Sequence, residues 1–364
     1  PPAEGGGMEI FMEKILPISI PPAETYQQTA FLMGIIQNNE NVQALIYNSY
    51  INVSITKDEF WEWRFEFTNV ACEDFRKRGV GEMDLFYLNN ISKDKCVDFL
   101  KERIDQNNFL LMFKIDEYEI SYSEHYHNKH FEHDTYIFGY NDKIFYVMAY
   151  TDGHLRLMGV KQEEIIESLY NHQHYFGNTH FCSFRIHHCA REVIQLDEIL
   201  SEINEYLKGY VEGNEKFFGV KTYNVIQEVL SYTKESNGGI ELSTKVFRSL
   251  WEHKKVMNIR NHYLGLKIEG LKQINSEIDT VVKTGHMIFM LTIKDNLLEI
   301  PASSMDTPSF LLKIVHLLYH ILDKISKYLQ EMKEAEKRYL LQFQRIVEVF
   351  LEDERESYRV EEKR

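Results

Sequence analysis

The chain reads as an α+β protein built in two units, and three observations predict it. The first half mixes short helices with strand-like runs. The second half is dominated by apolar residues at three-and-four spacing, the period of a helix with one buried face. At 364 residues, 44% hydrophobic and 13% aromatic, the chain can bury one large core or two ordinary ones. A boundary is expected between 175 and 195 and is drawn at 180, giving a mixed unit over 8–180 and a helical unit over 181–364. Residues 1–7 lack the charged and apolar regions of a signal peptide and read as an expression remnant before Met8.

In chain order, "TAFLMGIIQNNE" places Phe31, Leu32, Ile35 and Ile36 on one helical face, with Thr29 as its cap. The β-branched and aromatic run 44–56 and the apolar run 109–120 read as strands. A polar loop, "SYSEHYHNKHFEH", follows the second run. "DTYIFGYNDKIFYVMAY" reads as two strands joined at Tyr140-Asn141-Asp142-Lys143, where Asn and Asp supply turn chemistry. Residues 161–172 are helical, as are 196–210, 220–235, 244–265 and 268–295. A long final helix opens with Thr307 as cap and Pro308 in its first turn, and Leu311, Ile314, Leu318, Ile321, Ile325 and Leu329 form its core stripe.

Composition narrows the function. A net charge of −15 argues against general affinity for nucleic acid or an anionic membrane, both of which require concentrated Lys and Arg. The basic clusters Arg76-Lys77-Arg78 and His253-Lys254-Lys255 are local exceptions, expected mainly as solvated charge. No apolar run approaches the roughly 20 residues of a membrane helix, so a cytoplasmic location is expected. Cys72, Cys96, Cys182 and Cys189 show neither CxxC spacing nor a disulfide framework. No Walker or dinucleotide motif appears, since the isolated "GVG" at 79–81 is too short, and no cofactor is expected.

The informative stretch is "HFEHDTYIFGYNDKIFYVMAYTDG", residues 130–153, with a histidine at the head of a strand. A thiol or hydroxyl nucleophile is best activated at a helix N-terminus, by a histidine from another element that a third polar group orients. The helix start at "YQQTAFLMGII" and His133 have the layout for such a pair. A metal site is the rival reading: His125, His127, His130 and His133, or His172, His174 and His180 with His187 and His188, could chelate an ion. Their spacing fits no familiar zinc motif, and no metal is expected.

"HDTYIFGYNDKIFYV" resembles the His-strand-turn-strand segment of papain-like double-glycine-leader cysteine peptidases, and more closely that of butirosin-biosynthesis-protein-H-like acyltransferases of bacterial peptide-antibiotic pathways. The resemblance covers residues 15–170 and implies a papain-like fold with a C-terminal helical domain. It places the nucleophilic cysteine at position 30, where this chain has Ala30, in an inactivated variant or a pseudoenzyme. His133 becomes the base. The orienting acid of the family would fall near Ala149, so Asp152, the nearest downstream acid, is assigned that role, and Asp134 is less suited because adjacent strand residues point to opposite faces. The oxyanion glutamine of the peptidases falls at Glu24, leaving Gln27, Gln28 or the backbone N–H of residue 30 to substitute. The implied activity is amide formation between a carrier-protein-bound acyl or peptidyl thioester and a small amine, as in nonribosomal peptide assembly. A peptidase or thioesterase, and a noncatalytic binding module, are the alternatives.

Overall fold

The computed structural model describes residues 13–57, 63–68, 72–213, 216–235, 243–296 and 308–361. The chain divides into two compact units, the first comprising residues up to 43 and 71–192, the second 44–70 and 193 onward. Both units mix helix and antiparallel strand.

In the first unit a short strand β1 (Lys14–Ile15) precedes helix α1 (Gln27–Ile36). The helix α3 (Cys72–Lys77) then leads into β4 (Gly81–Tyr87), α4 (Lys93–Asp105), β5 (Phe109–Asp116), β6 (Glu132–Tyr140), β7 (Ile144–Thr151), β8 (His154–Lys161), α5 (Gln162–Phe176) and β9 (His180–Ile186). The strands form one sheet in the order β4-β9-β5-β6-β7-β8, with β1 also pairing with β6, and all pairings are antiparallel. α1 packs on the face that carries Tyr136 and Met148. Phe31 sets its ring 4.3 Å from that of Tyr136, and a Cβ at Gly34 would sit 3.0 Å from Met148 Cε and 2.8 Å from the Ser19 carbonyl, so the close approach requires glycine. The opposite face is covered by α4, which buries Cys96, Leu100 and Ile104 at i, i+4 and i+8 and sets Phe99 edge-on to Phe86 at 5.3 Å. The β6–β7 turn forms as expected: Asn141 Oδ1 accepts from the backbone N–H groups of Lys143 (2.9 Å) and Ile144 (3.0 Å).

The second unit begins with α2 (Ala44–Asn48) and the hairpin β2 (Val53–Lys57) and β3 (Trp63–Phe67). After 193 come α6 (Leu196–Lys208), β10 (Val211–Glu212), β11 (Lys216–Phe218), α7 (Lys221–Glu235), α8 (Thr244–Gly265), α9 (Glu269–Lys272), α10 (Asn275–Asn296) and α11 (Pro308–Glu361). Its four strands form a sheet in the order β10-β11-β2-β3. Ile55, Phe65, Ile203, Tyr223, Leu250, Ile325, Leu329 and Phe343 belong to one core. Of the expected stripe on α11, Ile321, Ile325 and Leu329 are buried, whereas Thr307 and the side chains of Leu311, Ile314 and Leu318 lie outside what is described.

Four expectations are corrected. The boundary falls after Glu192, inside the expected 175–195 but later than the 180 drawn, because β9 lies between β4 and β5 and stays with the first unit. The second unit is not purely helical, because 44–70 cross into it and supply β2 and β3. α1 starts at Gln27 after Tyr26, so Thr29 is a buried residue inside the helix and not its cap. The run 44–56 opens with a helix, Ala44–Asn48, before β2 begins at Val53. Arg260, itself buried, explains this: its Nε donates to the Tyr47 carbonyl (2.7 Å) and its Nη2 to the carbonyls of Ser49 (2.7 Å) and Tyr50 (3.0 Å), satisfying the helix end from 210 residues away in sequence. Arg260→Met leaves these carbonyls without their partner. It should lower the urea midpoint of unfolding by the equivalent of about 3 kcal/mol, with little change in slope.

The cluster His253-Lys254-Lys255 is the fifth departure. His253 and Lys254 are 0% exposed, so they offer no docking surface, and Lys255 sets its ammonium 4.3 Å from the Trp251 ring centroid. The bonds of His253 fix its tautomer. Nε2–H donates to the Ile51 carbonyl (2.7 Å), and Nδ1 accepts from the Lys254 ammonium (2.9 Å). Burial first, then Lys254, holds this imidazole well below its usual 6.5, with the Ile51 bond opposing. As pH falls through about 6.5, the unfolded chain therefore takes up a proton that the native state refuses, and stability present above that pH is lost at up to about 1.4 kcal/mol per pH unit. His253→Gln keeps a donor and an acceptor without the titration. Its urea midpoint should fall less steeply than that of the wild type between about pH 7 and pH 5.

Candidate functional site

The site is assembled where β5 ends and β6 begins. β5 bulges at Lys114, which has φ +55°, and the pairing shifts register between Met112 and Ile115. Beyond the bulge Ile115 pairs with His133 and Asp116 with Glu132. A single 3-10 turn, Glu117–Glu119, follows at once, and Asp116 accepts from the Tyr118 N–H (3.1 Å) to start it. That turn brings Glu117 Oε1 to 2.6 Å from His133 Nδ1.

Glu117 is held from three sides. It is buried, its other oxygen accepts from Ser123 Oγ (2.6 Å), and its backbone N–H donates to the Phe131 carbonyl (2.8 Å). With Nδ1–H committed to the carboxylate, the neutral His133 imidazole presents the lone pair of Nε2. Nε2 has no hydrogen-bond partner among the described residues, and the side chain is 30% exposed. This is the arrangement of an oriented general base.

The start of α1 lies at the same end of the sheet. Gln27 Nε2 donates to the carbonyl of Asp134, the neighbour of His133, at 3.2 Å. Tyr150 spans the two elements: its hydroxyl donates to the Glu24 carbonyl, and its ring centroid lies 5.8 Å from that of His133. Ala30 is fully buried in the first turn and a half of α1, and its N–H donates to the Tyr26 carbonyl (2.9 Å).

Two assigned roles change. Asp152 does not orient His133. It sits with Gly153 in the two-residue β7–β8 turn at φ +52° and +71°, exposed, 3.8 Å from Arg156. The orienting carboxylate is Glu117 instead. The backbone N–H of residue 30 is spent within the helix and cannot serve an oxyanion; the Gln27 amide is engaged with Asp134, and Gln28 is exposed. Asp134 accepts from the Lys114 N–H (2.9 Å), and burial raises its pKa against that bond and against His133.

The other histidines take separate partners. His130 Nδ1 lies 2.6 Å from Asp116 Oδ2, with its ring stacked on Tyr118 at 4.4 Å and tilted against Tyr175 at 3.9 Å. His172 uses both nitrogens, on Thr179 Oγ1 (2.7 Å) and Glu132 Oε1 (2.8 Å), as a buried structural histidine does. His125 and His127 approach Glu124 and Glu119 at 3.7 Å. Among the described residues no three His, Cys, Asp or Glu side chains come together to hold a metal. Cys96 is buried and its thiol is pushed up to about 12 by desolvation, which makes it a poor thiolate. Cys182 is buried and Cys189 exposed.

Glu117 is the partner of His133 that the sequence reading missed. Its signal was the Asp116-Glu117 pair closing the apolar run "FLLMFKI", an abrupt charge where a strand should continue. No protein-family model and no curated protein matches the chain.

Proposed function

We propose that the first unit is an acyl-transfer centre of papain-like type, in which Glu117 orients His133 and His133 acts on a group at position 30. One observation carries this: an imidazole with Nδ1 fixed by a buried carboxylate and Nε2 unengaged, beside the start of an apolar helix. With a cysteine at position 30, Nε2 would take the thiol proton and the thiolate would attack a thioester carbonyl. The carrier thiol would leave with that proton. An amine would then attack the acyl-enzyme, pass its proton to His133 and release the cysteine, leaving an amide. The thioester supplies the driving energy. An acyl carrier protein and a small amine are the partners this chemistry requires. The exposed Arg76 and Lys77 of α3 remain a basic surface for an acidic carrier. Among the described residues no helix is long and apolar enough to cross a membrane.

Ala30 supplies no nucleophile, so in this chain the centre stops at recognition of the donor. The complete burial of the Ala30 methyl favours a second reading, a binding module that has dispensed with covalent chemistry. One experiment separates the two. Ala30→Cys is incubated with a simple acyl thioester and its intact mass measured. A gain of one acyl group, absent in Ala30→Cys/His133→Ala, is the result expected of the transfer centre; an unchanged mass with thioester still bound would establish the binding module.

A further inference from the structure

The outer edge of the first sheet carries an unused surface. β4 ends the strand order, and its only strand partner among the described residues is β9. Met83, Leu85 and Tyr87 alternate along it on one face and are 36%, 48% and 49% exposed. Edge strands are ordinarily protected by charged side chains, Lys above all, by Pro or by a bulge. On β4, "GEMDLFY" contains no proline or basic residue, its two acids Glu82 and Asp84 lie on the face opposite Met83, Leu85 and Tyr87, and its seven pairs with β9 run without a register shift. The opposite edge, β8, carries His154, Arg156 and Lys161.

From this we infer that β4 pairs with β4 of a second copy, antiparallel, about a two-fold axis through Leu85. Parity limits the choice, because paired residues must lie on the same face, so the axis passes through a residue. An axis through Asp84 sets that carboxylate against its own copy, and one through Met83 sets Glu82 against Asp84; like charges directly opposite are unfavourable. The axis through Leu85 avoids both and pairs the five residues 83–87 of β4, where one through Phe86 would pair only the three residues 85–87. It pairs Leu85 with Leu85 and Met83 with Tyr87, joining two exposed apolar strips into one of six residues.

The other face supplies charge complementarity. In this register Asp84 falls opposite Phe86 of the second copy. The Arg103 guanidinium stands over the Phe86 ring at 5.9 Å and over Phe99 at 5.3 Å, held by Glu102 at 2.7 Å. Asp84 has no hydrogen bond or ion pair among the described residues of its own chain. The second copy therefore brings an unpaired carboxylate to each Arg103, twice by symmetry.

Sedimentation velocity of the full chain across a concentration series tests this, with Leu85→Lys, Asp84→Arg and Asp84→Arg/Arg103→Glu alongside. The wild type should sediment at twice the chain mass at high concentration. Leu85→Lys should stay monomeric, Asp84→Arg should weaken association by roughly tenfold, and the double exchange should restore it. Circular dichroism matching the wild type shows that each variant is folded. A wild type that stays monomeric throughout overturns the inference, as does a dimer indifferent to Leu85→Lys. Open-ended growth also overturns it and points instead to β4 pairing with β8 of the next copy.

Discussion

Glu336→Leu should destabilise the second unit by about 3–5 kcal/mol, read as a loss of urea midpoint, because it strands a buried ammonium. Lys254 and Glu336 are both 0% exposed, and Lys254 Nζ lies 2.5 Å from Glu336 Oε1. Its other bonds go to His253 Nδ1 (2.9 Å) and the Tyr206 hydroxyl (3.1 Å), so each ammonium hydrogen has an acceptor. Tyr223 donates to the second Glu336 oxygen at 2.5 Å. Desolvation pulls the Lys254 pKa down while Glu336 holds it up, and burial carries Tyr206 and Tyr223 well above the phenol range. The charges are tolerable only together. Lys254→Met/Glu336→Leu should therefore cost less than Glu336→Leu alone, giving a double-mutant cycle strongly favourable to the pair. Single variants that each lose under about 1 kcal/mol would mean that water reaches the pair and that the network is not buried as described.

In an Ala30→Cys background, His133→Ala should slow acyl capture by about 10²–10⁴-fold, the usual worth of a positioned base. Glu117→Gln should cost about 10²-fold or more, since an amide can donate to Nδ1 and stabilise the tautomer with its proton on Nε2, which cannot act as a base. Asp152→Asn should leave the rate unchanged, because Asp152 lies on the exposed β7–β8 turn beside Arg156. Stopped-flow or quenched mass measurement of the first turnover reads all three. A Glu117→Gln rate equal to that of the parent, with Asp152→Asn impaired, would restore Asp152 as the orienting group.

What the sequence made legible was local. Three-and-four spacing located α1, α5, α6, α7, α8, α10 and α11, and Asn141 with Asp142 located the β6–β7 turn. The misplaced features depend on partners distant in the chain. β9 belongs to the first unit because Cys182 and Ser183 find partners in both β4 and β5. Residues 44–48 are helical partly because Arg260 satisfies the helix end. Lys254 looked like surface charge because its acceptors come from α6 and α11. At the site, His133 was visible as a histidine heading a strand, but its carboxylate precedes it by 16 residues, just beyond a bulge in β5 that no spacing rule announces.

The most direct measurement is the pH dependence of iodoacetamide alkylation of Ala30→Cys, with and without His133. A sulfur at position 30 paired with the Glu117-held imidazole should ionise early and react rapidly at about pH 6, and His133→Ala should abolish that reactivity. A single titration near the ordinary thiol value of about 8.5, the same in both variants, would show that His133 does not act on position 30.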